Sequence, residues 1–403
     1  MDKFDVAIAQ ALDYLKLDII LKEFQMNVVH NYMSGRDVFC TAGTGAGKSM
    51  TYILAPIVQD IFEGLCPQVE DGIITLKSTV IIVQPLKALM HEQMQKLENF
   101  GLKANYLGED GSKDRMTANY IITAPESIKT EIFQKIIETG KVKYVFIDES
   151  HCIQTLGHGK GKKHDQPFRA CYSELGNLRS QIPNVPFISL TATATALIKA
   201  TILTDLHMNN CTFVAQDADR VNIRYSLIKL KSDVYDAMDW LLQELKVNGE
   251  FTQRVLVFCY SKEVCVNLFE HFKAELGSDM YSVMDNEPQD DRSSLIGMFH
   301  RGTREEQKKT ALTAFTSHTS KIRVLFCTAS FGMGVDVNNC HLAVHIGPPT
   351  LIDELLQQTG RIGRDGHQSH AIVVLYKNCM VGRCLEDEMK AYITIALYVA
   401  EQY

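Results

Sequence analysis

Nine short apolar runs do most to limit what this chain can fold into. DVFCTA (37–42), TVIIVQP (79–85), YIITAP (120–125), YVFID (144–148) and PFISLTAT (186–193) come first. After a gap follow RVLVFCY (254–260), RVLFCTA (323–329), LAVHIGP (342–348) and AIVVLY (371–376). Runs this apolar suit strands covered on both faces, and helical stretches alternate with them, so parallel sheets built from βαβ units are expected. Five strands and then four predict two α/β lobes. A length of 403 residues fits two domains of ordinary size. The boundary is expected near 214–252, where a polar, Gly-containing stretch (KVNGEFTQ) precedes the first strand of the second lobe. The expected division is a first lobe over 1–218, a connecting segment over 219–250, a second lobe over 251–380 and a short helical tail over 381–403.

Hydrophobic residues make up 46% and charged residues 22%, enough to bury a full core. The net charge is -7, so no global basic field announces a nucleic-acid binder, and such a partner would need a local basic groove. The 11 cysteines are odd in number, scattered, and form no CxxC; several, such as Cys259, sit in strand-like runs. They read as reduced thiols of an intracellular protein, and no structural zinc is expected at them. The amino-terminal MDKFDVAIAQALDYL lacks the apolar core of a signal peptide. The longest apolar stretches, such as AYITIALYVA, fall short of the ~18 residues a spanning helix needs. A soluble chain with no membrane partner is expected.

AGTGAGKS (42–49) follows a strand and opens the helical stretch MTYILAPIVQDIF, the setting a Walker A loop requires. Gly43, Gly45 and Gly47 let backbone N–H groups turn inward around phosphate oxygens, with Thr44 and Ala46 between them, and the helix start adds a positive dipole end. Lys48 is placed to reach the β and γ phosphates and Ser49 to bind Mg²⁺. ATP and Mg²⁺ are therefore the expected cofactors.

Asp148 and Glu149 emerge at the carboxyl end of a strand, the edge of a parallel sheet where ligands sit. One carboxylate suits Mg²⁺ and its neighbour suits orienting or deprotonating a water. A solvated acidic turn carries the same letters, but the Walker A loop about a hundred residues upstream favours a nucleotide site. Neither role uses His151, which is free to link the nucleotide site to the second lobe or to nucleic acid. In the second lobe TASFGMGVD (328–336) follows a strand, and QQTGRIGRDG (357–366) places Arg361 and Arg364 three apart among glycines. An arginine that reaches the γ-phosphate when two lobes close contributes ~10³ to 10⁵ in rate in other phosphoryl-transfer systems. A surface turn with two unrelated arginines is the plainer alternative.

AGTGAGKS, DESH, SLTATAT, ASFGMGVD and QQTGRIGRDG, in this order, resemble the motifs of superfamily 2 helicases, and more narrowly those of RecQ-family ATP-dependent DNA helicases. PLKALMHEQ (85–93), TAPES (123–127), DRVNIRYS (219–226) and FHRGT (299–303) add to the likeness, which runs from about residue 14 to 378. The resemblance implies an α/β fold of two tandem RecA-like domains with mainly parallel sheets and the ATP site in the cleft between them. It implies ATP-driven 3′ to 5′ movement on single-stranded DNA and unwinding of a duplex, with single-stranded and 3′-tailed duplex DNA as partners, roles in repair and recombination, and a nuclear location if the source is eukaryotic. By matched position Gln25 corresponds to the adenine-reading glutamine, with Lys22 beside it. Lys48, Asp148, Glu149, Arg361 and Arg364 take the hydrolytic roles, with Ser49 and Asp148 at the metal and Arg364 as the finger. His151, Thr191 and Thr193 couple the site to DNA. Gly334, Asp336 and Gln357 belong to the second-lobe wall of the ATP site.

The chain departs from that pattern in three places. Asp18 stands seven positions before Gln25, where the family has a base-stacking aromatic, and Lys22 stands in place of an arginine. A carboxylate cannot stack, and lysine lacks the planar guanidinium. After the DESH box the family's loop tryptophan is replaced by Leu156, followed by Gly157 and His158, and GKGKKHDQP is inserted before Phe168 and Arg169. Stacking on an aromatic contributes ~1 to 3 kcal/mol per base, and leucine supplies much less. Lys160, Lys162 and Lys163 either hold phosphates in its stead or belong to a solvated loop. The chain stops at Tyr403, before the zinc platform and winged helix of larger family members, and the lack of that wedge motivates an alternative in which hydrolysis persists with poor unwinding. Two other readings stay open: a nucleic-acid-binding module that has lost efficient unwinding, and an RNA helicase of the same superfamily.

Overall fold

The structure is a computed structural model that describes residues 2–85, 87–107, 118–154, 171, 175–192, 194–216, 220–281, 294–317, 321–332, 337 and 339–402. The chain divides into two compact units, Met1–Ala218 and Asp219–Tyr403. Each is an α/β domain on a parallel sheet. No described helix is long and apolar enough to cross a membrane.

The first unit contains strands β1 Val38–Thr41, β2 Gln68–Glu70, β3 Ile73–Thr75, β4 Thr79–Val83, β5 Ala104–Leu107, β6 Tyr120–Thr123, β7 Val142–Ile147, β8 Phe187–Thr191 and β9 Thr212–Ala215. Its helices are α1 Lys3–Tyr14, α2 Glu23–Met33, α3 Ser49–Phe62, α4 Lys87–Asn99, α5 Glu131–Glu138, α6 Gly176–Gln181 and α7 Ala196–Asp205. Seven strands form one sheet in the order β5-β6-β4-β7-β8-β1-β9, and every pairing in it is parallel. β2 and β3 form a separate antiparallel hairpin.

The apolar runs are explained by what covers them. Val38, Cys40, Val80, Ile82, Ile122, Phe146, Ile188 and Leu190 point into one core with α2 and α3 residues. Their alternate neighbours Phe39, Ile81, Val83, Ile121, Val145, Ile147 and Phe187 point into a second core with α5 and α7 residues. Alternation is thus present, but both faces are largely buried, so few polar residues mark it. Burial of each such side chain contributes about 1.5–3 kcal/mol. Thr195 starts α7 by accepting the Ile198 N–H, and Thr130 does the same for Phe133 at α5.

The second unit contains β10 Ile223–Lys229, β11 Val255–Cys259, β12 Ile296–Phe299, β13 Val324–Cys327, β14 Leu342–Ile346 and β15 Ser369–Leu375. They form a parallel sheet in the order β10-β15-β14-β11-β13-β12. Its helices are α8 Val234–Asn248, α9 Lys262–Leu276, α10 Glu305–Thr316, α11 Ile352–Thr359 and α12 Asp387–Gln402. Val255, Val257, Val324 and Phe326 face one core, and Leu256, Phe258, Leu325 and Cys327 face the other. The stretch 219–250, expected to be a connection, forms β10 and α8 and lies within the second unit: Ile223, Met238, Leu241 and Leu245 are all buried in its cores. The tail folds as α12, whose Met389 and Ile393 pack with Leu355 of α11 and Val373 of β15.

Candidate nucleotide site

The order β4-β7-β8-β1 places four strand ends side by side at one edge of the first sheet. Gln84 follows β4, Asp148 follows β7, Thr191 ends β8, and the Gly-rich loop follows β1. Residues far apart in sequence therefore meet because their strands are neighbours and all point the same way.

The Gly-rich loop turns through Gly45 at φ 77° and Gly47 at φ 94°, a left-handed conformation that L side chains rarely adopt. The loop leads straight into α3, whose start no side chain caps, so its dipole end faces the loop. Lys48 Nζ donates to the carbonyls of Ala42 at 2.8 Å and Gly43 at 3.3 Å. The ammonium is therefore held inside the loop it would serve. Gln25 is buried and spent on both sides. Its Oε1 accepts the Lys22 backbone N–H at 2.8 Å, and its Nε2 donates to the Gly47 carbonyl at 2.8 Å. Gln25 thereby ties the start of α2 to the loop, while the Lys22 and Asp18 side chains are exposed.

The carboxylates sit on a tight turn. Glu149 has φ 49°, a sparsely populated value for a non-glycine residue, and its N–H donates to Asp148 Oδ1 at 3.0 Å. Gln84 Nε2 donates to Asp148 Oδ2 at 3.1 Å. Burial first, and then the charge of Glu149, push the Asp148 carboxyl well above the usual carboxylate range, against the opposing pull of Lys48. Two adjacent acids that repel each other beside a cationic loop fit a divalent cation, which would relieve that repulsion.

The turn is stitched to β8. Ser150 N donates to the Leu190 carbonyl at 3.0 Å, and Ser189 Oγ donates to Ser150 Oγ at 2.7 Å. His151 is buried, with Nδ1 3.2 Å from Thr191 Oγ1 and 3.4 Å from Glu149 Oε2. Burial holds its imidazole below the ordinary value, against the opposing pull of Glu149.

In the second unit the arginine turn is held from β10. Arg220 Nη2 donates to the carbonyls of Ile362 at 3.2 Å and Gly363 at 2.6 Å. Asn222 Nδ2 donates to Gly363 O at 2.8 Å and His367 O at 2.9 Å. Tyr225 OH lies 3.0 Å from Thr359 Oγ1 at the end of α11. Arg361 is buried, Arg364 is half-buried with Nε donating to Gly360 O at 3.4 Å, and Gln357 is half-buried on α11.

Lys48, Ser49, Gln25, Asp148, Glu149, His151 and Thr191 thus come together in the first unit, and Gln357, Arg361 and Arg364 share one helix end and turn in the second. His158, Lys160, Lys162, Lys163, Phe168, Arg169, Thr193, Gly334 and Asp336 lie outside the described residues, as does Leu156. Sequence reading missed Gln84, which stands one residue before the PLKALMHEQ match. It also missed the support that Arg220 and Asn222 give the arginine turn, although both belong to DRVNIRYS (219–226).

Residues 22–201 match the DEAD/DEAH box helicase family, and residues 236–366 match the helicase conserved C-terminal domain. The chain is 27% identical over 384 residues to the ATP-dependent DNA helicase hus2/rqh1 of Schizosaccharomyces pombe, covering 90% of this chain and 26% of that protein. It is 26% identical over 359 residues to the ATP-dependent DNA helicase RecQ of Pasteurella multocida, covering 87% of this chain and 49% of that one. The chain therefore spans between a quarter and a half of these relatives' lengths. Among solved structures the fold matches the DUF1998 helicase MrfA bound to DNA, with TM-score 0.69 and 17% identity, over 94% of this chain and 51% of that one.

Proposed function

The chain carries a DEAD/DEAH box helicase domain and a helicase conserved C-terminal domain, with curated relatives among the RecQ-family DNA helicases, and on that premise we propose that it is an ATP-hydrolysing motor core acting on DNA. The observation that carries this reading is the meeting of Lys48, Asp148, Glu149, His151 and Gln84 at one sheet edge. Lys48 exchanges its two loop carbonyls for the β and γ phosphates of ATP. Ser49 and Asp148 hold Mg²⁺, whose contribution is to neutralise charge on the phosphates. Glu149 orients the attacking water and takes its proton. Gln84 keeps the Asp148 carboxylate turned toward the loop. Arg361, Arg364, Gln357 and Asp336 are the second unit's contribution to hydrolysis, with Arg364 as the finger.

His151 and Thr191 connect the acid pair to β8 and to the TATAT segment, which includes Thr193. They form the route by which bound DNA alters hydrolysis. His158, Lys160, Lys162, Lys163, Phe168 and Arg169 are the residues that respond to DNA, with lysine charge standing in for a stacking aromatic. The motor moves 3′ to 5′ on single-stranded DNA and opens 3′-tailed duplexes.

Steady-state ATP hydrolysis with and without single-stranded DNA tests the reading. Stimulated hydrolysis that is lost in both Lys48→Ala and Glu149→Gln is expected. Intact hydrolysis in both variants overturns the site. Basal hydrolysis unmoved by DNA favours a binding module instead, and stronger stimulation by RNA replaces DNA as the partner.

A further inference from the structure

A second cluster of chemical groups lies just past the arginine turn, and hydrolysis does not use it. His341 immediately precedes β14, Asp365 sits in the turn after Arg364, and His367 lies two residues before β15. Parallel pairing of β14 with β15 brings the three together at the amino-terminal edge of the second sheet. His341 Nε2 is 2.8 Å from Asp365 Oδ2, and His367 Nδ1 is 3.2 Å from the same oxygen. The two imidazole centroids are 5.6 Å apart with planes at 84°, and one donor atom from each residue lies within 4.8 Å of the other two.

The backbone holds these groups in place. Gly363 N donates to the Cys340 carbonyl at 2.9 Å and His370 N to the His341 carbonyl at 2.8 Å. Asn222 Nδ2 fixes the His367 carbonyl, and the His367 N–H closes on Asp365 Oδ1 at 3.1 Å. Solvent reaches the cluster: the side chains of His341, Asp365 and His367 are 21%, 32% and 76% exposed.

We propose that His341, Asp365 and His367 form a binding site for a divalent transition-metal ion, with Zn²⁺ as the best-fitting ion. Two imidazole nitrogens and one carboxylate oxygen are a borderline donor set that suits Zn²⁺, whereas Mg²⁺ and Ca²⁺ take oxygen ligands. Tetrahedral Zn²⁺ with ligands at its usual bond lengths spaces adjacent donors roughly 3.3 Å apart. The two nitrogens lie 2.8 and 3.2 Å from the carboxylate oxygen, close to that spacing, and within 4.8 Å of each other, so binding requires the side chains to adjust around the ion. The fourth position, on the exposed side, goes to water. Arg220, bonded to Gly363 O and interacting electrostatically with Asp365, is a nearby cation that tempers affinity, as is Arg364 beside Asp365. A bound ion would join the turn carrying Arg361 and Arg364 to the foot of β14 through side chains as well as backbone. This site is independent of the nucleotide reading.

The test uses the full chain with its two exposed thiols removed, as Cys66→Ser and Cys384→Ser, because they are competing ligands. Zn²⁺ is titrated calorimetrically, and Co²⁺ is followed by its visible absorption. The expected result is about one equivalent bound, with affinity reduced at least tenfold in both His341→Gln and His367→Gln. Zn²⁺ also raises the melting temperature of the parent but not of the variants. His367 is mostly exposed, so its substitution leaves the fold intact and a change in binding reports on the site. No binding by the folded parent, or binding that His367→Gln leaves unchanged, overturns the proposal and leaves the cluster as an ion pair.

Discussion

His151 Nδ1 lies 3.2 Å from Thr191 Oγ1, which joins the end of β8 to the turn that carries Asp148 and Glu149. The same nitrogen is 3.4 Å from Glu149 Oε2, so one imidazole stands between the acid pair and the segment leading to α7. Thr191→Val keeps the shape of the side chain and removes the hydroxyl. A neutral hydrogen bond contributes about 1 kcal/mol, so the ratio of DNA-stimulated to basal ATP hydrolysis is expected to fall roughly fivefold. Parallel kinetics with and without single-stranded DNA check this. An equal fall in both rates would show that the contact supports the site without coupling it to DNA.

Asp148 gives a pH-dependent prediction. Burial and Glu149 raise its folded-state value above its unfolded one, so the folded chain holds this proton more tightly. The cost to stability is absent below the unfolded value and is complete once the pH has risen through the folded one. Asp148→Asn removes that cost. Its amide nitrogen can donate to Gln84 Oε1, a buried oxygen with no hydrogen-bond partner, once the Gln84 amide turns over. The variant is expected to melt about 2–4 °C higher than the parent near neutral pH, with the gain vanishing in acid, while hydrolysis is lost. Calorimetry across pH without nucleotide measures it, and a gain that is constant with pH would count against the electrostatic cause.

The strands that sequence reading found and those it missed separate by position in the sheets. All nine predicted runs became strands. Apart from the β2–β3 hairpin, the missed strands are β5, β9, β10 and β12, and each lies at the edge of its sheet. β9 and β10 have mostly exposed or half-buried side chains, and β5 buries only Leu107, so no long apolar run announces them. The strands of the hairpin bury only Ile74, so no apolar run announces them either. Lys48 and Asp148 of the candidate site are legible from spacing alone, and their strands end at the same sheet edge. Gln84 is not, because a single amide acquires its role only when β4 lies beside β7. Arg220 and Asn222 carry no signal in the sequence, since their partners are backbone carbonyls some 140 residues away.

Gly47 tests the Gly-rich loop by sterics. Its φ of 94° disfavours any side chain, and a Cβ there would come within 2.8 Å of Gln25 Nε2. Gly47→Ala is expected to cost about 1–3 kcal/mol of stability or to displace the loop, and in either case to weaken ATP binding more than tenfold. Gln25→Ala added to it removes the clash but not the strained φ, so rescue is expected to be partial. Fluorescent-nucleotide titration of both variants measures this. Full rescue by Gln25→Ala would assign the whole defect to the clash.

Arg220 tests the arginine turn from outside it. Its guanidinium donates to two carbonyls, those of Ile362 and Gly363, in the middle of the segment that bears Arg361 and Arg364. Hydrogen bonds from a charged donor contribute about 1.5–3 kcal/mol each, and partial exposure lowers that, so Arg220→Ala is expected to destabilise the chain by about 2 kcal/mol. If the turn supplies the hydrolytic arginine, the looser turn also lowers DNA-stimulated kcat roughly tenfold, with a smaller change in KM for ATP. Arg220→Lys restores the charge but only one of the two bonds, so it is expected to fall between. Denaturant unfolding gives the first quantity and steady-state kinetics the second. A loss of stability with kcat unchanged would separate the turn from hydrolysis.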